Sequence, residues 1–176
     1  MCLAALCIHS TVALTGGDVV TIVAGIMDGV IHKDDLAELQ TCMTGADSLT
    51  DEFESAVADF EAGGIQGITQ GIMEVAQIFN DLPQDLGNCV SISDDLSKLG
   101  DQLKIFLQPT LLIKTVSYNL VWHYSEINGD IQTALTDYNS MDYFGFGEQL
   151  GEALVLATQQ WVKWLIINYY LHKNVH

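Results

Sequence analysis

The sequence predicts an all-α fold, a single-domain irregular bundle of about seven to eight helices. Two observations predict it. Apolar residues recur three and four apart along almost the whole chain, and no segment alternates β-branched with polar residues between hairpin turns. With 176 residues, 49% of them hydrophobic, the chain is long enough to bury one sizeable core.

The elements follow in order. Val19, Ile22, Val23, Ile26 and Val30 mark a first helix after Gly16-Gly17-Asp18, with Asp18 as its cap. A second runs from about Asp34 through Leu36, Leu39, Cys42 and Met43. Thr50 caps a third that carries Phe53, Val57 and Phe60. A fourth carries Ile65, Ile68, Ile72, Val75 and Phe79 and ends before Pro83. Ile92, Leu96, Leu99, Leu103 and Phe106 alternate steps of four and three, as the stripe of a half-buried helix does. Pro109 interrupts that pattern, which resumes with Ile113, Val116, Leu120, His123 and Ile127 and stops at Asn128-Gly129, so two long helices meet at a bend or short turn. A glycine-rich helix around Gly147 and Gly151 completes the set.

Three boundaries are expected: a signal peptide over 1–13, a helical domain over 14–158 and an aromatic tail over 159–176. The start "MCLAALCIHSTVALTGG" has an apolar stretch followed by small residues, without the basic residues that usually precede it. Removal of that segment leaves Cys42 and Cys89. In an oxidising compartment these two form one bridge, which would stabilise the fold by about 4 kcal/mol by constraining the unfolded chain. In a cytosolic protein they would be two buried thiols. No Cys-His cluster has zinc-site spacing, and no run of 18 apolar residues offers a membrane span.

Charge excludes one class of partner. The chain has 23 Asp and Glu against six Lys and Arg together, a formal charge of −17, so nucleic acid is repelled. The acidity leaves weak divalent cation binding open. An EF-hand is excluded at Asp28, because Val30 and His32 hold the alternate positions and Lys33 stands where glycine is required. Asp34-Asp35 and Asp94-Asp95 read as helix starts, where the helix dipole favours negative charge.

The segment "DYFGFGEQLGEAL" contains G-x-G-x-x-x-G, close to a dinucleotide fingerprint, but no strand precedes it and no cofactor is expected. The glycines recur four apart instead: Gly25 and Gly29; Gly63, Gly67 and Gly71; Gly147 and Gly151. Positions four apart share one helix face, and each glycine costs a helix about 1 kcal/mol, so close backbone approach between packed helices is the compensation expected. The chain also echoes itself. "AGIMDGV…LAELQTC" aligns with "QGIMEVA…LPQDLGNC", and "AVADF" with "ALTDY", which suggests duplicated helical hairpins and strengthens the Cys42–Cys89 pairing.

Taken together, "AGIMDG", "FEAGGIQGI", "LPQDLGNC", "DDLSKLGDQLKIFLQP" and "DYFGFGEQLGEAL" resemble a family of small, acidic proteins of ciliates and other protists. The likeness covers residues 18 to about 157. It implies secretion, one all-helical domain and a cysteine pair, and implies no catalytic residue. The tail "QQWVKWLIINYYLHKNVH" departs from it: it has no Asp or Glu and holds Trp161, Trp164, Tyr169 and Tyr170. It reads either as an aromatic helix that docks on the domain or a neighbour, or as read-through of stop codons translated as Gln159 and Gln160.

The histidines are scattered. His123 reads as a hydrogen-bonded packing residue, Glu126 lies three residues on, and His172 with His176 makes a poor metal pair in a tail without acids. No catalytic signature is present, so no enzyme is expected. The expected function is that of a secreted structural or interaction protein that self-associates as a homo-oligomer through glycine-lined and aromatic surfaces, as in a coat or filament. The alternative is a carrier of a small apolar ligand held between helices beside Phe144 and Phe146.

Overall fold

The computed structural model describes residues 13–159. The expected signal, save Ala13, and the aromatic tail, save Gln159, lie outside the described residues. Seven α-helices occur among those residues, and no strand. They are α1 (Gly16–Ile31), α2 (Leu36–Cys42), α3 (Thr50–Ala62), α4 (Gly64–Asp81), α5 (Ser93–Leu103), α6 (Pro109–Asn139) and α7 (Tyr143–Thr158), with short 3-10 turns before α3 and α5 and after α4 and α5. None is long and apolar enough to cross a membrane.

Local chemistry sets the ends. Thr15, not Asp18, caps α1: the Thr15 hydroxyl accepts from the Asp18 amide at 3.3 Å while the Asp18 carboxylate accepts from the Thr15 amide at 2.8 Å. Asp18, the third residue of the helix, is the partner in a reciprocal capping box, which satisfies two otherwise orphaned amides. Thr50 is the first residue of α3 and turns its hydroxyl back to the Asp47 carbonyl. Pro109 opens α6, where its missing N–H costs nothing.

Two antiparallel hairpins, α3–α4 and α6–α7, form the frame. The first turns at Gly63 and Gly64, both at φ +67°, so Gly63 is a left-handed junction residue rather than part of the α4 glycine face expected from spacing. The second turns at Met141, and Asp142 caps α7 by accepting from the Gly145 amide. α1 then lies along α7, the most extensive helix pairing in the protein. Gly25 faces Gly147 and Gly29 faces Gly151, so the first and last helices run in the same direction. Ile22, Ile26, Met27, Phe53, Phe60, Ile72, Leu120 and Phe146 are among the fully enclosed side chains.

α6 departs most from the sequence pattern. It continues past Asn128-Gly129 to Asn139 because Ile127, Ile131, Ala134 and Leu135 stay buried and outweigh the roughly 1 kcal/mol cost of a helical glycine. It bends at His123, where φ is −121° and ψ is 22°. Its core face is Leu112, Val116, Asn119 and Leu120; Ile113, expected inside, is exposed.

Candidate interaction face and apolar cavity

The glycine positions take three different roles. At the α1–α7 seam, a Cβ on Gly25 would lie against the Phe144 carbonyl, 2.9 Å from the Glu148 nitrogen and 3.0 Å from the Gly147 Cα; Gly29, Gly147 and Gly151 are equally closed by the facing backbone. In the α3–α4 hairpin the Phe60 ring covers Gly71 and the Asp59 carbonyl lies against Gly67. Gly63 supplies a positive φ and touches no other element closely. The seam and the hairpin are therefore closed by direct contact, although Gly29 also borders a cleft at the edge of the seam. Phe146 is fully buried and meets Tyr138 edge-on at 5.2 Å, and Phe144 packs against the core, so the expected ligand space beside them is filled. Burial pushes the Tyr138 phenol up to about 12, which keeps it neutral.

Cys42 and Cys89 are joined in a disulfide, with their Cα atoms 5.0 Å apart, which ties the end of α2 to the turn before α5. The neighbouring Thr44 amide donates to the Asp85 carbonyl at 3.0 Å and holds the same two segments together. Asn119, buried in the middle of α6, donates to the carbonyls of Ala157 at 2.8 Å and Gln159 at 3.0 Å, satisfying the otherwise open end of α7.

The outer face of α6 is apolar and aromatic. Trp122 is 69% and Val121 68% exposed, and Leu111, Ile113, Tyr118 and Tyr124 are also exposed. Leu111, Tyr118 and Trp122 are seven and four residues apart and so lie in one stripe, with the Tyr118 and Trp122 rings 6.4 Å apart. No Asp or Glu occurs between Asp101 and Glu126, whereas Lys104 and Lys114 do. His123 sits at the end of this face, its Nδ1 3.1 Å from Glu126 Oε2, and is half-buried rather than part of the core stripe.

A cavity of about 320 Å³ opens elsewhere, between the end of α4, the turn that follows it, and α5 with its 3-10 extension. Phe79, Leu82, Leu86, Leu99, Leu103 and Phe106 form much of its wall; Asn80 and Lys104 are its polar lining groups. A second, wetter cleft of about 610 Å³ places His32, Glu126, Asp130 and Glu152 together. Burial, with Glu152 and Glu126 adding, raises the Asp130 pKa. No group of three metal-ligating side chains has metal-site geometry among the described residues.

A family model described as SctB-like, Secreted protein B-like, matches residues 9–156. The chain belongs to that family. Among curated proteins it is similar to "Secreted protein A" of Dictyostelium discoideum, with 22% identity over 122 residues, which are 65% of this chain and 70% of that protein. No solved structure matches it with significance. The protein is secreted, as the family description and this relative indicate, and an oxidising exterior is where a Cys42–Cys89 bridge persists.

Sequence reasoning missed the cavity and the exposed face of α6. The signal for the face was present as the acid-free run from 102 to 125, which carries Phe106, Tyr118, Trp122 and Tyr124 and is matched in length by the acid-free tail over 153–176. The cavity had no local signal, since its wall comes from segments about 20 residues apart that only folding brings together. Trp161, Trp164, Tyr169 and Tyr170 lie outside the described residues.

Proposed function

We propose that this SctB-like chain is a secreted, non-enzymatic structural or interaction protein that self-associates, as a subunit of an extracellular coat or filament. The observation that carries the reading is the acid-free aromatic face of α6 on a chain of charge −17. Two copies repel each other over most of their surfaces, and removing an unpaired carboxylate from water is costly. The Leu111, Tyr118 and Trp122 stripe can be covered without either penalty, and aromatic residues of this kind anchor protein interfaces.

Sedimentation velocity of the mature chain at micromolar concentration and physiological salt is expected to show species heavier than one chain. Trp122→Glu, at an exposed site where folding is little affected, is expected to return it to monomer. A monomeric wild-type protein, or an unchanged distribution for Trp122→Glu, would refute the assignment.

Carriage of a small apolar molecule is a second reading, supported by the cavity walled by Leu82, Leu99, Leu103 and Phe106. Its test is saturable binding of a neutral apolar probe, 1-decanol.

A further inference from the structure

We infer that the cavity between α4 and α5 takes an amphipathic carboxylate of the fatty-acid class, its hydrocarbon chain against Leu82, Leu99, Leu103 and Phe106 and its carboxylate at Lys104. The inference rests on the carrier reading and adds the chemistry of the ligand.

The first observation is charge. In a chain with 23 acidic residues, no acid lines this cavity, and its one charged lining residue is Lys104. Lys98, six residues earlier, is paired with Asp95 at 2.6 Å. Lys104 pairs with no carboxylate among the described residues, so its ammonium is not committed to an ion pair there. An ammonium on a flexible stem, beside an apolar hollow, suits a ligand whose one end is anionic and whose remainder is hydrocarbon. The Asn80 amide adds a neutral hydrogen-bonding group to the same lining.

The second observation is Gly100. It lines the cavity from within α5, has no positive φ, and a Cβ there would meet no atom within 4 Å. Neither backbone conformation nor helix contact calls for glycine at this position, yet a helical glycine lowers helix stability relative to alanine. Gly100 is exposed, so its effect is to leave the rim of the hollow without a side chain. At about 320 Å³ the space lies at the small end of ligand cavities, which fits a chain of about ten carbons rather than a long one.

The test is calorimetric titration of the full mature protein with sodium decanoate and with 1-decanol. Both are expected to bind at one site. Lys104→Met is expected to weaken decanoate by about three- to fivefold and leave 1-decanol unchanged, the size of effect that a partly solvated charge pair gives. Gly100→Leu, with a good helix former pointing into the open space, is expected to abolish binding of both, with the helical circular dichroism retained.

If neither probe binds saturably, the carrier reading falls and this inference with it. If both bind and Lys104→Met affects them alike or not at all, the carrier reading stands and the carboxylate assignment falls. Binding that survives Gly100→Leu would place the site elsewhere and overturn the assignment of this cavity.

Discussion

A methyl group added at Gly25 is expected to push α1 away from α7. The atoms it would meet are the Phe144 carbonyl, the Glu148 nitrogen at 2.9 Å and the Gly147 Cα at 3.0 Å, all backbone, so no side chain can rotate away. Overpacking a well-packed interior costs about 1–3 kcal/mol, and a rigid obstacle puts this site at the upper end. Alanine returns about 1 kcal/mol of helix propensity. The net loss for Gly25→Ala is therefore about 2 kcal/mol, a fall in Tm of roughly 4–8 °C for a chain of this size.

Thermal and urea unfolding followed by circular dichroism measure this, with Gly100→Ala and Gly129→Ala as controls. A Cβ at either control position meets nothing within 4 Å, so each is expected to gain about 0.5–1 kcal/mol. Gly147→Ala strains the same seam from the other side. Once Gly25→Ala has separated the helices, adding Gly147→Ala should cost less than it does alone. Equal stability of Gly25→Ala and Gly100→Ala, or strict additivity across the seam, would refute the argument from backbone contact.

Two further outcomes follow from the geometry. Cys42→Ser is expected to lower stability by about 4 kcal/mol, because the bridge spans a sequence separation of 47 and the unfolded chain regains that loop's freedom; unfolding in the absence of reductant checks it, and a loss below about 1 kcal/mol would refute it. Stability is also expected to rise as the pH falls from 7 towards 5. Burial is the leading cause that raises Asp35, Glu52, Asp130, Asp137 and Glu148 from their ordinary values. Their folded forms hold protons that the unfolded chain has released, so the stability they give is present below the ordinary carboxylate pKa and is lost as pH rises through the raised values. Among the described residues Asp95 is held lower, chiefly by its hydrogen bond to Lys98, and works in the opposite direction from a half-buried position. Approach to the isoelectric point near 4.2 also relieves self-repulsion. A Tm that falls steadily between pH 7 and 5 would refute this balance.

The helices themselves were legible in the sequence, because a three- and four-residue apolar spacing and a proline at a helix start are local. Ile92, Leu96, Leu99, Leu103 and Phe106 read as one stripe, and all but the half-buried Leu96 are buried. Caps were read less well: Thr15 and Asp18 are three residues apart and either could serve, and only the reciprocal hydrogen bonds distinguish cap from partner. The chemistry of the chain was also legible. Its apolar start with two further cysteines pointed to export and a bridge, and the Cys42–Cys89 bridge is formed.

Tertiary structure decided the rest. Four-residue spacing says that Gly25 and Gly29 share a face, but which helix meets that face is a contact between segments more than 100 residues apart, and no local pattern encodes it. Gly63 shares the spacing and falls outside the helix, since spacing carries no information about φ. α6 has apolar residues on every side near Trp122, so its sequence could not say which side is covered; the packing of α4 and α7 against it chose Leu112, Val116 and Leu120 and left Leu111, Tyr118 and Trp122 in water. Composition and periodicity, which act over one or two helical turns, thus determined the fold class and most of the elements. The seam, the exposed face and the cavity are relations between distant segments, and long-range packing alone set them.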